Sequence, residues 1–370
     1  MFSWAKNAVG LTEPIYGPSA IHSVADQTPS STEVQKADLA WEVMDTTNVE
    51  TKTFYMTSDS GHLGLVQIIY SNVLGVRTTA QFNSKVYYPR EGEGNGKEHL
   101  WASDNLASFE FSKDKQGFVT KSGDVRMELS EDGRSYVVKS TINKGSVVDL
   151  RFTQASPGFM AGKNGTTTYG TDAAKPWGRM KHLFWPRCKV EGSILTQAGP
   201  VDFTGRGVFI HALQGMKPHF AAARWNFANF QSPSYSAILM QFTTPPSYGE
   251  SVVAVGCIAE DGKILFGGAS PGVSATHTEV KGDPDNEWPE PGKVKFEWKG
   301  EGCEAVLEGG ILPRVDRVDV MGELPKFVKQ IATQASGTKP YIYQYTPKLT
   351  LEINGKKEEG QLFMEATFIS

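Results

Sequence analysis

Hydrophobic and polar residues alternate with a period of two along much of the chain from Asn48 onward. In VKFEWK (294–299) three apolar residues alternate with three charged ones, and LTLEI (349–353) repeats the pattern. Such alternation is typical of a β-strand with one buried and one solvated face, because successive side chains of a strand point in opposite directions. We therefore predict a protein built mainly from short strands.

Turn-forming dipeptides separate several of these predicted strands. Asp132-Gly133, Asp261-Gly262 and Asn354-Gly355 all favour tight hairpin turns. Many short strands joined by hairpins form antiparallel sheets, so the predicted fold class is all-β, with sheets arranged as barrels or sandwiches. One internal helix is predicted at 323–334, where the apolar residues of ELPKFVKQIATQ recur at i, i+3, i+4 and i+7. We expect it to pack against a barrel as a lid or flank.

The first eleven residues have a helical pattern. One half of their helical wheel is apolar and contains Met1, Phe2, Trp4, Ala5, Ala8, Val9 and Leu11. A helix this short is marginal in water, so its apolar half must lie on a surface, either the protein itself or a membrane interface. The polar half carries a single charge, Lys6, which favours membrane binding by apolar insertion. The predicted membrane-binding residues are Phe2, Trp4, Ala5, Ala8, Val9 and Leu11.

A length of 370 residues suggests two domains when divided by the roughly 150 residues that a domain typically has. We place the boundary between them within HALQGMKPHF (211–220). The predicted organisation is an amphipathic helix at 1–14, a polar linker at 15–47, one β-domain at 48–215 and a second at 216–370.

Composition and charge argue against several classes of protein. The net charge of -4 gives no electrostatic basis for binding nucleic acid, so no nucleic-acid partner is expected. No apolar run approaches the roughly 20 residues that a transmembrane helix needs. Cys188, Cys257 and Cys303 are widely separated and form no CxxC pair, which favours a reducing, cytoplasmic compartment over a metal or redox site.

Two motifs resemble a catalytic or a cofactor site without meeting its physical requirements. GASPG (268–272) has the GxSxG spacing of a nucleophile elbow, but Pro271 has no backbone N–H to donate to an oxyanion. A turn between strands is therefore favoured there. GEGNG (92–96) lacks the GxGxxG spacing and lies in no βαβ unit. We predict no cofactor, no metal and no catalytic residue.

Aromatic residues concentrate in KPWGRMKHLFWPRCKV (175–190) and RWNFANF (224–230). They form either a packed core or the wall of an apolar cavity in or between the two β-domains. The stretch 155–178 has no periodicity, and its large apolar residues either plug the core or line the mouth of a ligand site. The predicted lipid-binding residues are Phe159, Trp177, Phe184, Trp185, His211, Trp225 and Phe227.

Three long stretches resemble the fungal survival factor 1 family, and the similarity extends through nearly the whole chain. They are TNVETKTFYMTSDSGHLGLVQIIYSNVLG, KPWGRMKHLFWPRCKVEGSI and ALQGMKPHFAAARWNFANFQSPSYSAILMQFTTPPSYG. The segment ALQGMKPHFAAARWNF is quite specific to that family. The motif EPIYGP, which follows the amphipathic start, also matches.

The resemblance implies two tandem lipocalin-like domains and an N-terminal amphipathic helix that holds the protein on Golgi or endoplasmic-reticulum membranes. It also implies carriage of ceramide between these membranes and a link to survival of oxidative stress. The expected location is the cytoplasm and the surface of both membranes, with the nucleus as an additional location. The helix of the family corresponds here to Phe2, Trp4, Val9 and Leu11.

Two rival functions remain open from the sequence. Bacterial hydroxyneurosporene synthases share a similar tandem β architecture, which suggests a lipid-modifying hydratase. Such an enzyme needs titratable groups in its cavity, with His182, His211 and His219 as candidates, but isolated histidines outside any HExxH or Cys/His pattern are more often packed or hydrogen-bonded. The other rival is a stress-signalling scaffold, which would have a filled core and an exposed apolar patch.

Overall fold

The computed structural model describes residues 14–73, 75–89, 93–94, 96–286, 288–320 and 340–370. These residues form two antiparallel sheets, one a nearly closed barrel and the other a half-barrel, which confirms the predicted all-β fold with two lipocalin-like units. The predicted helices at 1–14 and 323–334 lie outside the described residues, apart from Pro14.

The first sheet follows the strand order β6-β5-β4-β3-β16-β14-β11-β10-β9-β8-β7, with the short strands β1, β2, β12, β13 and β15 attached to it. Its strands are β1 Ile21–His22, β2 Ser31–Glu33, β3 Asn48–Ser58, β4 Leu63–Val73, β5 Arg77–Tyr87, β6 His99–Leu106, β7 Phe109–Phe111, β8 Phe118–Thr120, β9 Val125–Leu129, β10 Ser135–Ser140, β11 Ser146–Gln154, β12 Phe159–Ala161, β13 Thr166–Tyr169, β14 Gly178–Thr196, β15 Gly199–Asp202 and β16 Gly205–Gln214.

The second sheet follows the order β20-β19-β18-β17-β27-β26-β23-β22-β21, with β25 paired to β27 and β24 paired to β25. Its strands are β17 Arg224–Gln231, β18 Ser236–Thr243, β19 Val252–Glu260, β20 Lys263–Ala269, β21 Val273–Gly282, β22 Pro289–Gly300, β23 Cys303–Gly310, β24 Asp316–Asp319, β25 Tyr341–Tyr345, β26 Lys348–Ile353 and β27 Lys356–Phe368. The described helices are α1 at Pro218–Ala221 and four 3-10 turns at Pro18–Ala20, Val24–Asp26, Lys36–Leu39 and Pro246–Tyr248.

The period-two pattern places its apolar residues in the cores, as predicted. Val294, Phe296 and Trp298 of β22 are each 0% exposed and lie in the core of the second sheet. The hairpin at Asn354-Gly355 also forms as predicted: both residues have positive φ, at 49° and 78°, the conformation that a tight hairpin turn of this type requires. The chain passes from the first sheet to the second between β16 and β17.

The stretch 15–47 is part of the folded unit, which corrects its interpretation as a polar linker. Within it β1 pairs with β13 and β2 pairs with β12. Val24, Leu39 and Trp41 are buried, and the last two belong to the core of the barrel. Their irregular spacing, set by 3-10 turns and very short strands, produces no periodic pattern, so the sequence analysis missed them.

The stretch 155–178 forms β12 and β13, and most of its large side chains fill the core. Phe159, Met160 and Tyr169 are at most 3% exposed. Trp177 differs, because it is 43% exposed at the surface. Of the two alternatives for this stretch, core packing therefore holds for three of its four large side chains.

Candidate functional site

The two sheets meet along an apolar surface, here called the inter-sheet face. The first sheet contributes the outer side of β3, β4, β5, β12, β14 and β16, and the second contributes β17, β18, β19 and β27. Aromatic rings meet across it: Tyr55 lies 5.0 Å from Phe227 and 5.1 Å from Phe363, and Tyr87 lies 5.9 Å from Phe363, measured between ring centroids. This surface is therefore as closely packed at Tyr55 as an ordinary core.

The local sequence explains why β3 has two buried faces. In KTFYMT, Phe54 and Met56 point into the barrel, and Tyr55 between them points to the inter-sheet face. A strand covered on both sides has a continuous apolar run rather than strict alternation. The uninterrupted run FYM is the sequence feature that could have placed Tyr55 here.

Part of the inter-sheet face keeps apolar surface that the protein does not fully cover. Trp225, Met240 and Ala212 pack against the buried cluster but stay only partly buried. Trp225 contacts Phe242 at 5.3 Å and the ring of His182 at 5.9 Å. Aromatic and aliphatic side chains that remain accessible beside a core are the usual lining of an apolar ligand site.

A polar network crosses the same face next to Tyr55. Lys85, 0% exposed on β5, hydrogen-bonds Asp316 and donates to Gln344 Oε1 at 2.6 Å. The hydroxyl of Tyr87 donates to the same oxygen at 2.6 Å, and Gln344 Nε2 donates to Glu365 Oε1 at 2.6 Å. The network therefore links β5 of the first sheet to three strands of the second.

Burial and neighbouring charges shift the pKa of three groups in and beside this network. Burial opposes ionisation of Asp316, but the hydrogen bond and the charge of Lys85 outweigh it and lower the pKa of this carboxyl. Burial raises the pKa of Glu365, because the hydrogen bond from Gln344 compensates only in part. Burial, together with the carboxylate of Glu365, also raises the pKa of Tyr55 well above its usual value. The positive charge of Lys85 is thus matched by Asp316.

Four of the seven predicted lipid-binding residues lie at the inter-sheet face. Phe184 and Phe159 stack there at 6.0 Å, and Trp225 and Phe227 lie on β17 opposite the first sheet. The structure brings them together with Tyr55, Tyr87, Lys85, Gln344 and Glu365, which the sequence analysis missed. A lysine within the apolar stretch SKVYY was the available sign of a buried polar site at β5.

The other three predicted residues lie elsewhere. Trp185 is inside the barrel, 5.2 Å from Tyr136, because it follows Phe184 on β14 and so points the opposite way. His211 is buried and hydrogen-bonds Glu50 through Nε2 at 2.7 Å. Trp177 donates its indole N–H to the Tyr248 hydroxyl at 3.0 Å. Trp185 and His211 therefore face the interior of the barrel, whereas Trp177 lies at the exposed edge of the apolar cluster that contains Tyr248.

Inside the barrel, burial and a shared hydrogen bond shift the pKa of both His211 and Glu50. Burial lowers the pKa of His211, and its hydrogen bond with Glu50 only partly opposes this. Burial opposes ionisation of Glu50, but the partnership with His211 and two backbone N–H groups lowers the pKa of this carboxyl. His182, on the inter-sheet face, has its pKa lowered to about 4 by burial.

Two surface pockets lie apart from the predicted lipid-binding residues. One, of about 450 Å³, is lined by Arg187, Cys188, Arg206 and Asp261 among others, and one of about 200 Å³ is lined by His99 and Trp101 among others. Within the described ranges, no three His, Cys, Asp or Glu residues are grouped so that they could hold a metal. In the same part of the chain, no helix has the length and apolar character needed to cross a bilayer.

Solved structures resemble the fold over nearly the whole chain. CghA matches with a TM-score of 0.62 at 12% identity, covering 95% of this chain and 98% of its own. Kievitone hydratase from Nectria haematococca matches with a TM-score of 0.57 at 13% identity, covering 96% and 98%. At these identities the likeness concerns the fold alone.

Sequence relatives are much closer. A Neurospora crassa protein named ceramide-binding protein svf-1 is 54% identical, one from Emericella nidulans named ceramide-binding protein svf1 is 48% identical, and one of that name from Schizosaccharomyces pombe is 39% identical. Each alignment covers 100% of both chains. The model of the Svf1 family matches residues 2–370. The chain therefore belongs to the Svf1 family.

Proposed function

We propose that this chain binds ceramide at the inter-sheet face and carries it through the cytoplasm between endoplasmic-reticulum and Golgi membranes. The observation that supports this most is the set of relatives named ceramide-binding proteins, at 39% to 54% identity over the full length of both chains. The partly accessible apolar side chains Trp225, Met240 and Ala212 offer the lipid a surface beside a rigid aromatic core.

The physical task of such a carrier is to keep two hydrocarbon chains out of water. With roughly 0.8 kcal/mol per methylene and about thirty methylenes, a ceramide is held in a membrane by on the order of 20 kcal/mol. A carrier must therefore offer a comparable apolar environment. The inter-sheet face lies between two large sheets. Moving the sheets apart would therefore enlarge the apolar surface that the two hydrocarbon chains of the lipid can contact.

Release and uptake need contact with the membrane. The amphipathic pattern of residues 1–14 supports a helix that inserts Phe2, Trp4, Val9 and Leu11 into the interface. With the protein held there, the lipid passes from bilayer to protein without crossing bulk water. A chain lacking residues 1–14 should bind liposomes less well than the full chain, and equal binding would remove the helix from the proposal.

The decisive experiment is mass spectrometry of the organic extract from the full chain, purified from a eukaryotic host without detergent. We expect ceramide at close to one molecule per protein, and none in a soluble control protein purified in parallel. An extract without ceramide, repeated after incubation with ceramide liposomes, would overturn the proposal. Transfer of labelled ceramide between two liposome populations then measures carriage separately from binding.

The proposal is for binding without a chemical step, although the fold is shared with a hydratase. If the histidines served catalysis, alanine at His182, His211 or His219 would abolish turnover of a lipid. We expect ceramide incubated with the wild-type chain to be recovered without a mass change. Any converted product that disappears in these variants would restore the enzymatic alternative.

A further inference from the structure

Tyr55 and Asn83 on the outer side of the first sheet, and Glu365 on the second sheet, each have a polar atom that forms no hydrogen bond with any described residue. The Tyr55 hydroxyl has no hydrogen-bond partner there, although the side chain is only 8% exposed. Asn83 is 5% exposed, and its Oδ1 atom is buried without a partner. Glu365 is hydrogen-bonded only by Gln344, through Oε1, which leaves its second oxygen available. Unpaired buried polar groups are rare in folded proteins and call for a water or a ligand.

The strand register places two of these groups on one surface. Tyr55 pairs with Leu65, and Leu65 with Lys85, so these side chains form one row across β3, β4 and β5. The next row on the same side contains Thr53 and Asn83, two residues away from Tyr55 and Lys85 respectively. Tyr55 and Asn83 therefore occupy neighbouring rows on the outer side of the first sheet.

Asn83 is fixed in orientation by a chain of side-chain hydrogen bonds. Its Nδ2 donates to Gln67 Oε1 at 3.3 Å, and Gln67 Nε2 donates to Thr53 Oγ1 at 2.7 Å. Because the nitrogen of the amide is engaged, the oxygen is the atom left to accept a hydrogen bond. This arrangement gives the row a defined acceptor.

The third group reaches the site from the second sheet. Glu365 lies opposite Phe227 in the pairing of β17 with β27, and the Phe227 ring packs on Tyr55. Glu365 keeps some accessible surface although burial raises its pKa. The carboxyl is thus shielded from bulk water without being fully covered by protein. In its neutral form it donates one hydrogen bond and accepts others.

The charges around these three groups are already paired. Lys85 is bonded to Asp316 and Gln344, and it lies over the rings of Tyr87 and Trp101 at 5.1 and 5.3 Å. His99, beside Asp316, has its pKa lowered by burial and by Lys85. A phosphate placed here would meet a carboxyl and no described cation that is free to compensate it.

We infer that Tyr55, Asn83 and Glu365 bind the polar headgroup of the transported lipid and select headgroups that are uncharged and both donate and accept hydrogen bonds. This inference rests on the proposed function. The amide and the two hydroxyls of a ceramide supply the donors and acceptors that these three groups lack. A phosphorylated headgroup is rejected, since its charge would be buried beside Glu365 without a partner.

The first test needs no variant. The full chain is titrated with liposomes that contain ceramide or ceramide 1-phosphate with the same acyl chain, and the affinities are compared. We expect ceramide to bind at least tenfold more tightly, because the phosphate would bury a charge without a partner, and about 1.4 kcal/mol of that cost already corresponds to a factor of ten in affinity. Equal affinity for the two lipids would overturn the inference while leaving lipid carriage intact.

The second test locates the headgroup contacts. Tyr55→Phe removes only a hydroxyl, Asn83→Ala removes the acceptor, and Glu365→Ala removes the carboxyl. Each should weaken ceramide binding by about tenfold and leave the affinity for diphenylhexatriene, an apolar probe without a headgroup, unchanged. Ser84→Ala is the matched control, because Ser84 faces Ser146 at 2.6 Å on the opposite side of β5.

The outcomes separate the two proposals. A wild-type chain that binds no ceramide would overturn the proposed function and the headgroup site with it. A wild-type chain that binds ceramide, with Tyr55→Phe, Asn83→Ala and Glu365→Ala all binding it equally well, would overturn the headgroup site alone. Equal losses for ceramide and diphenylhexatriene would also overturn it, since they would show a general disruption of the fold.

Discussion

Arg187 on β14 donates its Nε hydrogen to Asp261 Oδ1 at 2.5 Å, across the boundary between the two sheets. The two partners differ in exposure: the Arg187 side chain is 3% exposed and that of Asp261 is 75% exposed. The same guanidinium also donates to Ser232 O at 3.2 Å, Ser236 Oγ at 3.1 Å and Pro233 O at 2.6 Å. One residue of the barrel therefore holds two turns of the half-barrel.

This geometry predicts unequal effects for the two partners. Arg187→Ala should lower the free energy of unfolding by about 3 kcal/mol, because it removes the donor to the buried Ser232 carbonyl and one of the two hydrogen bonds of Ser236 Oγ. Asp261→Ala should cost only about 1 kcal/mol, since the Asp261 carboxylate is exposed to solvent and the Arg187 guanidinium keeps its three other acceptors. Urea unfolding of both variants measures the difference. Equal losses would show that the ion pair, rather than the buried hydrogen bonds, joins the sheets.

Two tryptophans provide a matched test of where the lipid binds. Trp225 lies partly buried at the inter-sheet face, whereas Trp177 packs 4.7 Å from Tyr16 at the surface. Trp225→Ala should reduce the ceramide recovered with the protein by about tenfold, because it removes an accessible apolar wall. Trp177→Ala should leave that amount unchanged. Mass spectrometry of both extracts decides, and a larger loss for Trp177→Ala would move the site away from the inter-sheet face.

The fold could be predicted where strands are covered on one side only. The alternation in 294–299 and 349–353 specified strands and buried faces, and Asn354-Gly355 specified a hairpin. The stretch 15–47 could not be predicted this way. Its buried side chains, Leu39 and Trp41 among them, are held by tertiary contacts with the barrel core rather than by a local period.

The candidate site was only partly predictable, for a geometric reason. The sequence showed which aromatic residues are candidates for a ligand site. Phe184 and Trp185, however, are neighbours on β14, and their side chains point to opposite faces of the first sheet. When both faces of a strand are buried, the sequence does not show which one meets a ligand and which one fills a core. The network of Lys85, Gln344 and Glu365 joins positions far apart in the chain. No local sequence motif predicts it for that reason.

The three thiols should be unreactive in the folded protein. Cys188, Cys257 and Cys303 are 1%, 0% and 3% exposed, and burial raises the pKa of each. Because the thiolate is the reactive form, native protein should release almost no thionitrobenzoate from Ellman's reagent over an hour. Protein unfolded in guanidinium should release three equivalents. Stoichiometric reaction in the native state would instead support direct redox sensing by one of these cysteines.

The barrel contains a buried lysine that should make stability depend on pH. Lys52 is 0% exposed and donates to Leu39 O at 2.6 Å and to the Tyr136 hydroxyl at 3.2 Å. Its ammonium lies 4.9 Å from the centre of the Trp41 ring. Burial lowers the pKa of Lys52 to about 7, although the charges of Glu50 and Asp114 oppose the shift.

The sign of the effect follows from proton binding in the two states. Between pH 7 and the ordinary lysine pKa of 10.5, the unfolded chain holds a proton at Lys52 that the folded chain has released. Stability contributed by this residue therefore rises with pH across this window, by up to about 1.4 kcal/mol per pH unit. Below pH 7 both states are protonated and the contribution no longer changes.

Lys52→Met removes this titration while keeping most of the side-chain volume. The difference in unfolding free energy between wild type and Lys52→Met should therefore shift in favour of wild type as the pH rises from 7.5 to 9.5, measured by urea unfolding in matched buffers. Lys113→Met, at an exposed position, is the control for replacing a lysine by methionine. A pH-independent difference for Lys52→Met would mean that Lys52 stays charged in the folded barrel, with its hydrogen bonds and the Trp41 ring compensating the burial of the ammonium.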